Sequence, residues 1–350
     1  MQPKRCGGIN RFLKCQASRL TEISLKTNDT MKITAIKYIV FLSFAVCIAA
    51  CDKVDDLTKI PLESIEDVSI NSNEIIVEVE RDIQMGDYFD FMEKLVDTLN
   101  STLPYTLTEH LLVHANSHII DRLAATDYYT TKAKNQFIYD PSKIVILEKG
   151  EHIRIPAHRE IQELIRNQTN TYIDINIPEY TLQIVQYDRE IARFPVRVGQ
   201  NKVRYWEVTK REEDLRTKHG EGYISWINKN PIYMNPVDAH TYTSTLRDDG
   251  QRTLLPQIPF LHPTINGHEY GQAIHPTTNP TTLGKAYSNG CVGVKEADAW
   301  RIYYHAPVGT KVKIRYDLIV CDEKGKTSIL PDIYEYEIYT GSCATYINVD

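Results

Sequence analysis

The chain lacks any strong compositional bias. Of its 350 residues, 42% are hydrophobic and 25% are charged, as in an ordinary globular protein. These values exclude a disordered or collagen-like chain, and the sequence contains no internal repeat. The length is sufficient for one sizeable domain and a smaller one.

The apolar run from Tyr38 to Ile48 carries no charge, but it is too short to span a membrane. Lys32 and Lys37 precede it and small residues follow it, which is the order of an export signal. A buried strand or helix is the alternative interpretation. We predict that Met31 is the true start, that residues 1–30 are a translation artefact or a cleaved leader, and that 1–50 are absent from the mature protein.

The signal ends in IAAC, which resembles a bacterial lipobox with Cys51 as its cysteine. That resemblance implies cleavage before Cys51 and attachment of lipid to it, and several acyl chains suffice for stable anchoring. The acidic, weakly patterned stretch 51–73 then reads as a tether. The expected location is the cell envelope, with the protein facing the periplasm and the membrane as a partner.

The mature chain has no excess of basic residues. Eight of the 40 basic and two of the 46 acidic residues lie within 1–50, so 32 and 44 remain and the formal charge is −12. Binding to nucleic acid requires basic patches that displace counterions. The sequence therefore excludes nucleic acid as a partner.

Cysteines are also scarce. Beyond Cys51 only Cys291, Cys321 and Cys343 remain in the mature chain. Cys321 and Cys343 lie in the C-terminal extension 317–350, on either side of an alternating apolar segment. If this segment forms a hairpin, it could bring the two cysteines together, so we predict a disulfide between them. Two free thiols are the alternative, since spacing in the sequence does not fix the Cα separation. Cys291 is then the odd thiol of an exported protein, which suggests reactivity.

Residues 74–157 read as a small α+β domain. Strand patterns occur at 74–80 and within 143–157, and helical spacing occurs over 88–99 and over 108–124, the latter with a break near Asn116. GDYF at 86–89 and EHIRIP at 151–156 resemble the ends of LysM glycan-binding modules. The segment between them is longer than a LysM repeat, so a purely structural helical domain is the other interpretation.

From residue 171 to 316 the pattern changes to many strands and few helices. Three alternating strands are predicted at 172–177, 182–187 and 191–198, another at YISWI, one at the end in KVKIR, and a short helix at 298–306. The stretch 228–275 has little periodicity and reads as a long functional loop. We expect a mainly β domain of mixed or antiparallel sheets with one or two short helices.

The stretch AYSNGCVGV contains Cys291 after Gly290, whose lack of a side chain permits close approach of a substrate. A cysteine nucleophile needs a base, and His275 in AIHPTT is suitably placed. From the residues alone, buried filler, half of a disulfide and a nucleophile all remain open for Cys291. No cysteine and histidine set has compact spacing, so we expect no metal and no cofactor.

The segment from His275 to Cys291 also resembles a known family signature in its residues and their spacing. IHPTTNPTTLGKAYSNGCVGV is similar to the signature of L,D-transpeptidase catalytic domains of the YkuD type, in which a histidine, an LG turn and an S-H-G-C block follow in order. Here His275, Leu283-Gly284, Ser288, Gly290 and Cys291 supply them, with 16 positions from histidine to cysteine. The resemblance covers about residues 171–316.

The resemblance implies a peptidoglycan L,D-transpeptidase. Cys291 would be the nucleophile and His275 the general acid/base, with Ser288, Asn289 and Gly290 at the oxyanion and substrate. A carbonyl near Pro276 would orient the His275 ring. Stem peptides of peptidoglycan would be the substrates, and transfer of a tetrapeptide stem to another stem would form a 3→3 crosslink.

Two positions depart from the pattern. Asn289 replaces a second histidine, and Gly293 replaces an arginine or asparagine, so one cation is missing; the loop at 217–220 is altered as well. These changes bear on which substrate is bound. Two alternatives remain: an L,D-carboxypeptidase or related amide hydrolase with the same site, and a non-catalytic lipoprotein that binds glycan through its 84–157 region.

Overall fold

The structure is a computed structural model that describes residues 75–235, 238–322, 324–338 and 340–341. The predicted signal, the predicted lipidation site Cys51, the predicted tether and Cys343 lie outside the described residues. Within the described ranges, no helix is long and apolar enough to cross a membrane.

The first part of the described chain combines helices with two short strand pairs. Its elements in chain order are β1 (Ile75–Glu78), β2 (Ile83–Gln84), α1 (Tyr88–Asn100), α2 (Glu109–Ala115), α3 (His118–Ala124), α4 (Tyr128–Ala133), β3 (Val145–Leu147), β4 (His152–Ile155) and α5 (His158–Thr169), with 3₁₀ turns at Met85–Asp87 and Pro141–Lys143. β1 pairs antiparallel with β4, and β2 with β3.

The predicted break near Asn116 is confirmed, and its cause is a side chain. The Asn116 amide donates to the carbonyls of Leu112 and Arg154, and its oxygen accepts from the Arg154 N–H. Asparagine side chains that bond backbone groups compete with the helix ladder. One amphipathic segment thereby becomes two helices, α2 packed on β4 and α3 packed on β3.

The strands and the last helix follow in the order β5 (Thr171–Asn176), β6 (Thr181–Gln186), β7 (Arg189–Pro195), β8 (Val198–Gly199), β9 (Val203–Trp206), β10 (Arg211–Asp214), β11 (Gly220–Asn228), β12 (Tyr233–Met234), β13 (Thr241–Tyr242), β14 (Ser244–Leu246), β15 (Arg252–Leu254), β16 (Phe260–Ile265), β17 (Ile274–Pro276), β18 (Ala286–Ser288), β19 (Val292–Val294), α6 (Glu296–His305), β20 (Lys311–Arg315), β21 (Ile319–Cys321) and β22 (Thr327–Ile329). A further 3₁₀ turn spans Pro280–Thr282.

Eight of these strands form one sheet in the order β19-β17-β16-β11-β20-β5-β6-β7. Pairs β17/β19 and β5/β20 are parallel and the other pairs are antiparallel. The mainly β prediction with mixed sheets and few helices is therefore confirmed.

The long segment 228–275 contains a central strand that the sequence pattern did not reveal. β16 pairs along most of its length with β11 and also contacts β17. Pro263 lies in the middle of β16, and proline removes a ladder hydrogen bond, so it argues against a central strand. The pairing shifts register between Ile224 and Trp226, next to the proline's partner, and the strand continues.

Helix α6 connects the sheet to the helices of the first part. Trp300, Tyr303 and Tyr304 are fully buried, and the hydroxyls of Tyr304 and Tyr88 lie 2.6 Å apart. Both α6 tyrosine hydroxyls also donate to the buried carboxylate of Glu109. The helix that follows Cys291 by a few residues is thus fixed from both sides.

Candidate active site

The candidate site lies at the β19 end of the large sheet. β17 and β19 run parallel, with His275 opposite Gly293. On the other side of β19, Arg197 forms an antiparallel bridge with the same glycine. Residues directly opposite each other share a face of a sheet. His275, Gly293 and Arg197 therefore form one row across one face.

Cys291 joins this row from one end. It lies two residues before Gly293, so the pleat turns its side chain to the same face. The N–H of Ala273, two residues before His275, donates to Cys291 Sγ over 3.4 Å. The thiol and the imidazole thus occupy diagonal positions on adjacent strands. Cys291 is a free thiol.

The ring of His275 is held in a single useful tautomer. Its Nδ1 lies 2.9 Å from the carbonyl of Pro276, which can only accept, so Nδ1 carries the proton and Nε2 is left as the acceptor. Phe260 stacks on the ring with centroids 4.7 Å apart. The Pro276 carbonyl contact is the one that the sequence resemblance implied.

The electrostatics of the pair favour two neutral groups. Burial, together with the charge of Arg197, lowers the pKa of His275 to about 3. Burial raises the pKa of the Cys291 thiol, against the smaller opposing effects of the Ala273 N–H and Arg197. At neutral pH the resting site therefore holds a neutral imidazole and a neutral thiol.

The turn that leads into Cys291 is closed by Ser288. Its hydroxyl donates to the Cys291 carbonyl over 2.6 Å and accepts from the Gly290 N–H over 3.2 Å. Both groups are therefore engaged within the turn. Among the described residues, the backbone N–H of Cys291 and the side-chain amide of the half-buried Asn289 have no hydrogen-bond partner. They are the donors that remain for an oxyanion.

Gly290 is required in this turn for two reasons. Its φ is +111°, a conformation that side chains disfavour, and a Cβ there would lie 2.6 Å from Nε2 of Gln272. Gln272 itself clamps the neighbouring loop, because it accepts from the Lys218 N–H and donates to the Arg216 carbonyl. The close approach of loop and turn leaves no room for a larger residue.

Thr217 and Tyr334 are residues of the site that sequence reasoning did not identify. The Thr217 hydroxyl donates to the Gly290 carbonyl over 2.9 Å and accepts from the Gly199 N–H over 2.8 Å. The Tyr334 hydroxyl accepts from the Thr217 N–H and donates to the Gly199 carbonyl. Both side chains are buried. Thr217 lies in the altered loop at 217–220, whereas Tyr334 gave no signal in the sequence.

Cys321 lies away from this cluster, in the hairpin of β21 and β22. Its pairing with Cys343 stays a prediction, as does lipid on Cys51. Over the ranges that the structure describes, no group of three or more histidine, cysteine, aspartate or glutamate side chains could hold a metal ion.

Residues 170–314 match the model of the YkuD family, described as the L,D-transpeptidase catalytic domain. The curated protein "Putative L,D-transpeptidase YkuD" of Bacillus licheniformis is 25% identical over 167 residues, which are 47% of this chain and 74% of that protein. The segment that the family model matches includes His275, Cys291 and Gly293.

Solved structures of similar proteins include an L,D-transpeptidase from Mycobacterium smegmatis and one from Xylanimonas cellulosilytica. The first is 13% identical with a TM-score of 0.29, covering 42% of this chain and 58% of that one. The second is 15% identical with a TM-score of 0.31, covering 58% and 92%. The sequence matches support an L,D-transpeptidase-type catalytic domain at residues 170–314, the segment that carries the thiol and imidazole pair.

Proposed function

We propose that the protein is a peptidoglycan L,D-transpeptidase that forms 3→3 crosslinks through an acyl-enzyme on Cys291. The observation that carries the proposal is the pairing of β17 with β19. It sets a free thiol and a histidine with an unprotonated Nε2 on one face of adjacent strands. The family match at residues 170–314 supports this assignment.

In the first half-reaction, His275 Nε2 takes the proton of the thiol as Cys291 Sγ attacks the carbonyl between the L- and D-centres of a tetrapeptide stem. A carbon–sulfur bond forms, and the carbonyl oxygen becomes an oxyanion, for which the Cys291 N–H is the available donor. When the carbon–nitrogen bond breaks, the imidazolium returns its proton to the leaving amine. The terminal D-residue departs and a thioester remains.

In the second half-reaction, the side-chain amine of another stem attacks the thioester. His275 takes a proton from this amine and returns it to the departing sulfur, so the free thiol is restored and a 3→3 peptide bond is formed. Water entering in place of the amine would give hydrolysis from the same acyl-enzyme. The acceptor alone separates a transpeptidase from a carboxypeptidase.

Two incubations of the purified full-length protein in detergent test the proposal. A carbapenem should add one intact carbapenem mass, because opening of the β-lactam ring releases no leaving group. Disaccharide-tetrapeptide should yield a crosslinked dimer together with the free D-residue. Tripeptide without dimer would replace transfer by hydrolysis, and an unmodified protein with no product would overturn both enzymatic activities in favour of glycan binding alone.

We also propose that the protein is exported and anchored in the cell envelope by lipid on Cys51, facing the periplasm. The proposal depends on the ordered basic, apolar and small residues that end in IAAC. A Cys51→Ser variant, expressed in a bacterium and fractionated, should remain unprocessed or leave the membrane fraction. A Cys291→Ser variant, which also replaces a cysteine outside any disulfide, serves as a matched control that should stay in the membrane. Processed, membrane-bound Cys51→Ser would contradict the anchor.

A further inference from the structure

The side chain of Arg197 occupies the space that Gly293 leaves open. The two backbones exchange both hydrogen bonds of a bridge, N–H to carbonyl, over 2.9 and 3.0 Å. A Cβ placed on Gly293 would lie 2.5 Å from Nε of Arg197 and 2.7 Å from its Cγ. The side chain of Arg197 therefore covers Gly293 on the sheet face that also carries His275.

Among the residues that the structure describes, this guanidinium has no acidic partner in an ion pair. Its Nε is buried without a hydrogen bond, and its one side-chain bond in the described part of the chain reaches the Thr282 hydroxyl over 3.3 Å. Arg197 is half-buried, and a cation partly removed from water without a counter-ion is costly. Burial accordingly lowers the pKa of Arg197, while the sulfur of Cys291, Tyr287 and Asp248 act in the opposite direction. Of these three groups, Cys291 lies on the same sheet face.

The other charged and titratable groups around Arg197 and Cys291 come from several elements. His275 lies on β17, His262 on β16 behind it, Tyr287 on β18 and Asp248 in the segment between β14 and β15. The first two lack a stable positive charge, because burial lowers the pKa of His262 and His275 to about 4 and about 3. Arg197 is thus the permanent cation that faces the sulfur.

We propose that Arg197 provides the cation of this active site from the segment between β7 and β8 that bridges to Gly293, at the place where Gly293 itself carries none, and that it stabilises the Cys291 thiolate. The inference rests on the proposed role of Cys291 as nucleophile and extends it to a residue outside the cysteine motif. The same charge disfavours the imidazolium of His275, so it also promotes return of the proton to the leaving amine. Positions 197 and 293 are then interchangeable as the source of the charge: an arginine at one of them fits only if the residue at the other is small.

The test is the pH profile of Cys291 alkylation by iodoacetamide, followed by peptide mass spectrometry in the full-length protein. This reaction needs a thiolate but no peptidoglycan, so its result is independent of the transpeptidase assays. In the wild type the rate should rise with pH towards a thiol pKa above the ordinary value. Arg197→Met should move this rise to higher pH and lower the rate at pH 7 about tenfold, because an opposite charge at close range changes a thiolate population by this order.

Three variants separate charge from packing. Arg197→Lys retains the charge and should keep most of the wild-type rate. The double variant Arg197→Ala with Gly293→Arg returns the guanidinium from β19 and should restore the profile. Arg193→Met, on exposed β7, removes an arginine that pairs with Glu190 and Glu179, and it should change nothing.

An Arg197→Met profile that coincides with the wild type would overturn the proposal, as would a lysine variant as slow as the methionine variant. If the methionine variant fails to fold, Gly293→Ala gives the same measurement, because its Cβ displaces the guanidinium without removing the arginine. An unchanged profile in Gly293→Ala would then be the contradicting result. Carbapenem acylation of the wild type, measured in parallel, shows whether the proposed function holds irrespective of this outcome.

Discussion

Replacing Cys291 with alanine is expected to abolish covalent attachment of a carbapenem and formation of every peptidoglycan product. The sulfur is the group that would form the acyl bond, so its loss removes the intermediate rather than slowing one step. We expect no adduct by intact mass and a fall in product formation of at least about 10³-fold, in line with removal of a nucleophile.

The fold should survive this change. The sulfur takes part in one hydrogen bond, from the Ala273 N–H, and the turn is closed by Ser288 through the backbone carbonyl of residue 291, which alanine retains. His275→Gln is the matched comparison. It keeps the thiol, so iodoacetamide should still alkylate Cys291, while acylation slows about 10²–10⁴-fold through loss of the base. A carbapenem adduct on Cys291→Ala would place the nucleophile elsewhere in the chain.

Replacing Arg247 with alanine is expected to destabilise the protein by about 3–5 kcal/mol, the usual cost of leaving one partner of a buried ion pair alone. Arg247 and Glu296 form such a pair, with side chains 2% and 4% exposed. The guanidinium also lies 4.6 Å from the centre of the Tyr128 ring, and Glu296 accepts from the Tyr128 N–H. Urea unfolding of the variant and the wild type measures the difference.

The deficit should depend on pH in a defined direction. Burial raises the pKa of Glu296, and Arg247 opposes that rise. Without the arginine, the folded carboxyl binds a proton more readily than the unfolded one. The cost is therefore fully present at pH above the folded pKa and decreases as pH falls through it. We expect the difference between variant and wild type to be smaller at pH 5 than at pH 8.

Two further variants test the cause. The double variant Arg247→Met with Glu296→Gln removes both charges and should recover much of the lost free energy of unfolding. Arg252→Ala, at an exposed position of β15, should change stability by less than about 0.5 kcal/mol. An Arg247→Ala variant within about 1 kcal/mol of the wild type would contradict the interpretation of the pair as mutually dependent.

The local parts of the site were predictable from the sequence because they depend on neighbouring residues. The helix break at Asn116 follows from side-chain chemistry within a few positions. The short helix predicted at 298–306 is present as α6, but it begins at Glu296 without a side-chain cap. The order and spacing of His275, Gly290 and Cys291 indicated one site through the resemblance to the family signature. Such spacing can be read directly from the sequence without knowledge of the fold.

The remaining parts depend on pairing between distant segments, which a single sequence does not record. Gly293 is recognisable as a departure from the motif, but nothing local shows that Arg197 lies opposite it. Pro263 opposed the prediction of a strand at β16, and only the sheet around it makes that strand central. Tyr334 was invisible for the same reason, because its importance comes entirely from the two backbone groups that it contacts.

Tyr334 lies beyond the segment that the family model matches, which ends at residue 314. Its hydroxyl nevertheless bonds Gly199 and Thr217, and the Thr217 hydroxyl in turn donates to the carbonyl of Gly290. The residues that support the Cys291 turn therefore extend past the matched segment. A fragment cut at the homology boundary would contain the cysteine and the histidine, but it would lose the support beneath the turn that aims the cysteine.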